Sequence, residues 1–222
     1  MKILGVDTCL PLGSVALIDD KSVLLSRSWN SPKEHISKVF EALNSILGTG
    51  KNRFEPIDLI IFTAGPGSFT GIRICLSLAK AFKEILGNEK IGTVSTLEAL
   101  SFSFLNEKTP VFVIMEGRKN KYYIYCRNRY EVIVKPKDLT IQQVIEEIEN
   151  IPGNLIVTGN YTSNSEIGNY IHSSNRLIEK TANTSIALNA ALYAAKYGFR
   201  NSLEPIYIRQ PDAKPSNKNM AD

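Results

Sequence analysis

Two histidines and three cysteines in 222 residues leave little material for metal, thiol or triad chemistry. Cys9, Cys75 and Cys126 are odd in number, far apart and without Cys-x-x-Cys spacing. They read as buried free thiols of a reducing compartment, not disulfides, zinc ligands or a nucleophile. His35 has Val39 where a metal-binding helix would place a second histidine, and His172 is followed by Ser173, Ser174 and Asn175. No metal site is expected. No apolar run approaches the roughly 20 residues of a membrane span, and Asp7 comes too early for a signal peptide, so a cytoplasmic protein with no membrane partner is expected. The net charge of +4 does not by itself argue for nucleic acid. What is present is ordinary globular composition, 43% hydrophobic and 22% charged, sufficient for one large domain or two lobes.

The hydrophobic pattern predicts strands at Ile3–Thr8, Gly13–Ile18 and Val23–Trp29, then a helix over Pro32–Leu47 ended by Gly48 and Gly50. A strand at Ile57–Phe62 and a helix to about Leu86 follow. Ser95-Thr96-Leu97-Glu98 is spaced as a capping box opening a connecting helix to about Leu105. The second half repeats the order: strands at Val111–Met115, Tyr122–Arg127 and Tyr130–Val134, a helix with Ile141, Val144, Ile145 and Ile148 on one face, a strand at Leu155–Val157, and a helix over Thr184–Tyr197. Ser101–Thr109 and Asn160–Asn175 read as irregular connections. A duplicated β-β-β-α-β-α unit predicts an α/β chain of two lobes around a cleft, as in the actin, sugar-kinase and heat-shock-chaperone ATPase superfamily (ASKHA, ribonuclease H-like). The lobes are expected at 1–105 and 106–210, with helix 184–198 packing back on the first lobe, and a disordered polar tail at 211–222.

Between strand and helix lies Gly65-Pro66-Gly67-Ser68-Phe69-Thr70-Gly71. Three glycines allow positive φ and close backbone approach, and a helix N-terminus after such a loop can receive an anion or a partner. Ile72-Arg73 follows where a P-loop needs lysine and Ser/Thr, and Thr70 stands at the third glycine of a dinucleotide fingerprint. In the actin-like superfamily the first strand ends in an acidic residue beside a phosphate-holding turn. Asp7, Thr8, Gly13 and Ser14 are the candidates for a vestigial turn of that kind; local backbone satisfaction explains the same residues. Arg118, Lys119 and Lys121 form a basic turn followed by Tyr122, Tyr123 and Tyr125, read as a hairpin tip with RNA contact as the alternative. Glu146, Glu147 and Glu149 read as a solvated helix face.

These segments resemble a known family. Gly65 to Ile74, with Gly65, Pro66, Gly67, Ser68, Phe69, Thr70, Gly71 and Arg73, matches the signature of the bacterial TsaB (YeaZ) family. So do Ala79-Lys80-Ala81, Val94 to Leu100, Ile3 to Thr8 with Gly13 to Leu17, and Pro205-Ile206-Tyr207-Ile208-Arg209. The resemblance spans all but the tail. It implies an actin-like fold and an accessory, non-catalytic role in adding threonylcarbamoyl to the adenosine next to the anticodon in tRNA. It further implies pairing with a catalytic TsaD-like subunit, a TsaE-like ATPase joining them, homodimers when alone, and tRNA contact through the complex. No cofactor is required on this reading, and ATP would bind weakly or at the level of the complex. The catalytic relative needs a His-x-x-x-His pair, for which this chain offers only His35 and Val39.

Two departures stand out. Glu116-Gly117-Arg118-Lys119-Asn120-Lys121-Tyr122-Tyr123 replaces the usual Asp-Ala-Arg-Arg-Gly-Glu-Val-Tyr, and Cys9 stands where serine is common. The expected partner surface combines Ile36, Val39, Phe40 and Leu43 of the first helix with Phe69, Ile72, Cys75 and Leu76 of the helix after the glycine loop. Part of this stripe must cover its own sheet, and the excess would pair between subunits. The competing expectation is a free-standing ATPase or phosphotransferase of the same fold.

Overall fold

The computed structural model describes residues 1–48, 56–105, 108–163, 165–181 and 185–208. Among the described residues, ten strands form two five-stranded sheets, accompanied by six α-helices. In the first unit, β1 (Lys2–Asp7), β2 (Gly13–Asp19) and β3 (Ser22–Trp29) form a meander, followed by α1 (His35–Leu47), β4 (Leu59–Thr63), α2 (Phe69–Leu86), β5 (Ile91–Val94) and α3 (Thr96–Phe102). The second unit runs β6 (Val111–Glu116), β7 (Lys121–Arg127), β8 (Val132–Thr140), α4 (Ile141–Glu149), β9 (Leu155–Asn160), α5 (Glu166–Ser173), β10 (Leu177–Glu179) and α6 (Ile186–Tyr197). Strand order is β3-β2-β1-β4-β5 in one sheet and β10-β9-β6-β7-β8 in the other, the same topology used twice. In each, the first strand pairs antiparallel with the second and parallel with the fourth.

The duplicated order is therefore β-β-β-α-β-α-β-α, one strand and one helix longer per unit than the repeat predicts. β5 and β10 are short and parallel, each at a sheet edge. α5 and β10 also occupy most of the stretch expected to be irregular. Ser165 caps α5 by accepting from the Gly168 N–H, and Ile167 and Ile171 anchor it one turn apart. β8 starts later and runs longer than expected because Pro136 sits at an irregularity of an edge strand, where no ladder donor is needed. Pro32–Glu34, expected in the first α-helix, form a separate 3-10 turn ahead of α1. The connecting helix stops at Phe102, short of Leu105. Gly50, Thr184, the lobe boundary at residues 106 and 107, Arg209 and the tail lie outside the described residues.

Three cores stack in sequence. Alternate residues of β1 point opposite ways: Leu4 and Val6 face α1 and α2, while Ile3 faces α3 and α6. On the second sheet Phe112 and Ile114 face α4 and α5, while Val111, Val113 and Met115 face α3 and α6. α3 and α6 thus lie between the two sheets. α6 is rich in alanine because it is buried on several sides; a side chain at Gly5 would meet the Ala187 carbonyl oxygen at 2.0 Å. Ser14 Oγ accepts from the Ala187 N–H at 3.1 Å, fixing the start of α6 on β2.

Candidate functional site: the glycine loop and the α1–α2 groove

The glycine loop is pressed onto the β1–β2 turn. The Ser68 N–H donates to the Cys9 carbonyl at 2.8 Å, and the Thr8 hydroxyl donates to the Gly71 carbonyl at 2.7 Å. A Cβ at Gly67 would lie 2.3 Å from the Cys9 carbonyl oxygen, and one at Gly71 only 1.9 Å from that of Thr8. Glycine is required here by close approach, with positive φ needed only at Gly65, which precedes Pro66 across a cis peptide. Ser68 is the N-cap of α2, its Oγ accepting from the Gly71 N–H at 3.2 Å. Behind the loop, the Gly65 carbonyl accepts from the Thr96 N–H and the Ser95 hydroxyl, both from the capping box of α3. From there a buried chain runs through Glu98 and the Tyr193 hydroxyl to Arg127 on the second sheet.

The candidate phosphate turn is occupied by its own structure. Asp7 is fully buried; its Oδ1 accepts from the Thr63 hydroxyl at 2.5 Å and the Cys9 N–H at 3.1 Å, while Oδ2 has no hydrogen-bond partner. Burial pushes its carboxyl up to about 6, the two hydrogen bonds working the other way. Thr8 and Ser14 are committed as described, and the Trp29 ring lies over Gly13, where a Cβ would meet it at 2.5 Å. These four residues serve local satisfaction and packing, not an open cradle. His35 is buried, and its Nδ1 accepts from the Trp29 indole N–H at 2.9 Å, which fixes the neutral tautomer with hydrogen on Nε2. Burial lowers its pKa, opposed by a hydrogen bond with the Leu10 backbone. Cys9, Cys75 and Cys126 are free and buried.

The expected partner surface divides in two. Val39, Leu43, Ile72, Cys75 and Leu76 are buried against their own sheet, Val39 also lining the groove between the two helices. Helical periodicity places Ile36 and Phe40 one turn apart on the outer side of α1, and these are 60% and 45% exposed. Phe69, at the start of α2, is 46% exposed. Together with Ile74 and Leu78, which the pattern did not single out, they line an apolar groove of about 440 Å³ between α1 and α2. Arg73 is the one charged side chain lining it among the described residues. Its guanidinium lies 3.9 Å from the Phe69 ring centroid, and Phe69 in turn stacks on Tyr207 at 6.4 Å.

A second cavity, of about 480 Å³, opens between the lobes, lined by Ser68 and Thr70 on one side and Glu116, Arg118 and Asn160 on the other. The basic turn is a tight hairpin with Lys119 and Asn120 at positive φ, and it brings Arg118 to this cleft. No group of three potential metal-binding side chains occurs among the described residues, and no helix is long and apolar enough to cross a membrane.

Residues 29–167 match the family model described as TsaD: tRNA N6-adenosine threonylcarbamoyltransferase. The tRNA threonylcarbamoyladenosine biosynthesis protein TsaB of Buchnera aphidicola subsp. Schizaphis graminum is 35% identical over 99 residues, 45% of this chain and 46% of that protein. TsaB of Escherichia coli strain K12 is 29% identical over 173 residues, 72% of this chain and 71% of its own. YeaZ from Pseudomonas aeruginosa superposes with a TM-score of 0.70 at 20% identity, covering 93% of this chain and 99% of that one. A ROK hexokinase from Thermus thermophilus superposes with a TM-score of 0.51 at 11% identity, covering 87% and 98%, a likeness of fold alone. The chain belongs to the TsaD family and, within it, to the TsaB (YeaZ) group of tRNA threonylcarbamoyladenosine biosynthesis proteins, built on a two-lobed actin-like ATPase fold.

Proposed function

We propose that this chain is a non-catalytic accessory subunit of the machinery that places threonylcarbamoyl on tRNA adenosine, and that it acts by pairing with a TsaD-type subunit through the α1–α2 groove. The observation that carries this reading is the exposure of Ile36, Phe40 and Phe69 on adjacent helices around an apolar groove. Alone, the protein covers that groove with a second copy of itself; a TsaD-type partner displaces the copy, and a TsaE-type ATPase joins the pair. tRNA meets the assembly chiefly through the partner, in the cytoplasm.

The internal use of Asp7, Thr8, Gly13 and Ser14 supports a protein that needs no nucleotide of its own. His35, engaged by Trp29, supports the absence of metal catalysis here. The test is reconstitution: threonylcarbamoyl transfer to tRNA by TsaD- and TsaE-type subunits with and without this chain, alongside ATP turnover by the chain alone. Transfer that depends on the chain, with no turnover by it alone, is the expected result. Turnover by the isolated chain that Asp7→Asn abolishes would replace this reading with a free-standing ATPase or phosphotransferase.

A further inference from the structure

Within the α1–α2 groove, one residue is chemically out of place. Arg73 sits among Ile36, Phe40, Phe69, Ile74 and Leu78, and no salt bridge joins it to any carboxylate among the described residues. Nor is its position loose. The ring of Phe69, four residues earlier on the same helix, holds the guanidinium plane, and Tyr207 from the chain's C-terminal segment braces that ring. Arg73 is exposed in the free chain, and an apolar occupant that covered it without supplying an anion would desolvate its charge at a cost, so the guanidinium is a recognition element for a carboxylate.

The two candidate occupants of the groove differ in this respect. A second copy docking by a two-fold axis brings the same lining residues, none of them acidic, and a second Arg73. Glu41, the acidic residue beside Phe40 on α1, is already engaged by Lys38 at 2.8 Å. A self-pair therefore buries two cations with no anion from the groove. An amphipathic helix that carries one Asp or Glu within its apolar stripe satisfies Arg73 and fills the groove at once.

We infer that Arg73 sets partner choice: it selects an apolar helix bearing a single carboxylate, as the TsaD-type subunit must present, and it weakens pairing of this chain with itself. This rests on the groove being the partner surface, as proposed above. Specificity here is a difference between two affinities, set by a repulsive element as much as an attractive one.

The experiment measures heterodimer affinity by calorimetry and self-association by sedimentation, for wild type, Arg73→Met, Arg73→Lys and Phe40→Asp, each checked for an unchanged melting temperature. Arg73→Met should weaken the heterodimer about tenfold or more and flatten its salt dependence, consistent with loss of a charged pair. It should leave self-association unchanged or tighter. Arg73→Lys, which keeps the charge but loses the planar stack, should fall between. Equal weakening of both pairings, or no change in the heterodimer, would overturn the inference while leaving the groove as the interface. If instead Phe40→Asp leaves the heterodimer intact, the groove itself is wrong, and the role of Arg73 falls with it.

Discussion

The outer faces of the two lobes carry the same helix pair on the same five-stranded sheet, and they differ in what those helices show to solvent. On the second lobe, α4 and α5 bury Val144, Ile148, Ile167 and Ile171 and expose Gln142, Glu146, Glu166, Asn169 and His172. Their apolar stripe is used up by the sheet beneath. On the first lobe, α1 and α2 bury a comparable stripe and still expose Ile36, Phe40, Phe69 and Ile85. The first lobe has apolar surface beyond the needs of its own core. Duplication supplied the same scaffold twice, and the apolar excess lies on the first lobe, where the proposed interface is placed.

The strand-end turns differ in the same sense. At the end of β1, Asp7 is sealed under the glycine loop; at the matching end of β6, Glu116 is exposed and accepts from the Thr162 N–H at 2.6 Å. The first turn is a packed joint that sets where α2 leaves the sheet, and the second is an open lip of the cleft.

The largest expected effect lies in the exposed stripe. Phe40→Asp should weaken pairing with a TsaD-type subunit about 100-fold or more, since it places a charge at the centre of an apolar contact. Glu146→Lys on α4 should change that affinity by less than about twofold. Equal effects in a binding titration would erase the distinction between the lobes.

Next comes the packed joint. Gly71→Ala drives a methyl into the Thr8 carbonyl and should cost about 3 kcal/mol in urea unfolding. Gly117→Ala, whose Cβ would lie 3.0 Å from the Lys121 carbonyl at an open hairpin, should cost about 1 kcal/mol or less. If Gly71→Ala proves the milder change, the loop is not held against the turn as described.

The buried carboxyl adds a pH signature. With its folded value raised from 3.8 to about 6, Asp7 binds more protons folded than unfolded between those limits. Its contribution is therefore favourable below about pH 4 and is lost as pH rises through 6, amounting to about 3 kcal/mol. His35 acts oppositely: with its value lowered, its contribution is present above its ordinary value and is lost as pH falls through the folded one. Substituting Asp7 separates the two. The stability of Asp7→Asn relative to wild type should rise by about 3 kcal/mol between pH 4 and pH 8. A flat difference for Asp7→Asn contradicts the buried charge.

The smallest effect is expected at the Trp29–His35 bond. Trp29→Phe leaves the His35 Nδ1 without its donor and should cost about 1 kcal/mol in thermal or urea unfolding, while Tyr130→Phe in the exposed connection between β7 and β8 should cost nothing measurable. Equal costs would remove the assigned role of the indole.

Much of the architecture was legible in the sequence because long elements carry strong periodicity. The β1–β3 meander, α2 with its end at Leu86, and the capping box of α3 appear where their patterns place them. What escaped had little pattern to show. β5 is only Ile-Gly-Thr-Val, β10 only Leu-Ile-Glu, and α5 presents two anchoring isoleucines within a serine- and asparagine-rich stretch. The groove was half legible. A one-dimensional stripe contains Val39 and Phe40, or Ile72 and Arg73, side by side, and only the rotation of each helix on the sheet decides which is inside. Arg73 and Tyr207 were visible as signature residues, but their meeting across Phe69 depends on where the C-terminal segment returns, and no local pattern encodes that.

The most direct test of the account is amide hydrogen exchange on the full chain with and without a TsaD-type subunit. The account predicts that complex formation slows exchange in α1 and in the first turns of α2, from His35 to Leu47 and from Phe69 to Leu78, and leaves α4 and α5 unchanged. Protection confined to α4 and α5, with α1 and α2 exchanging as in the free protein, would contradict it.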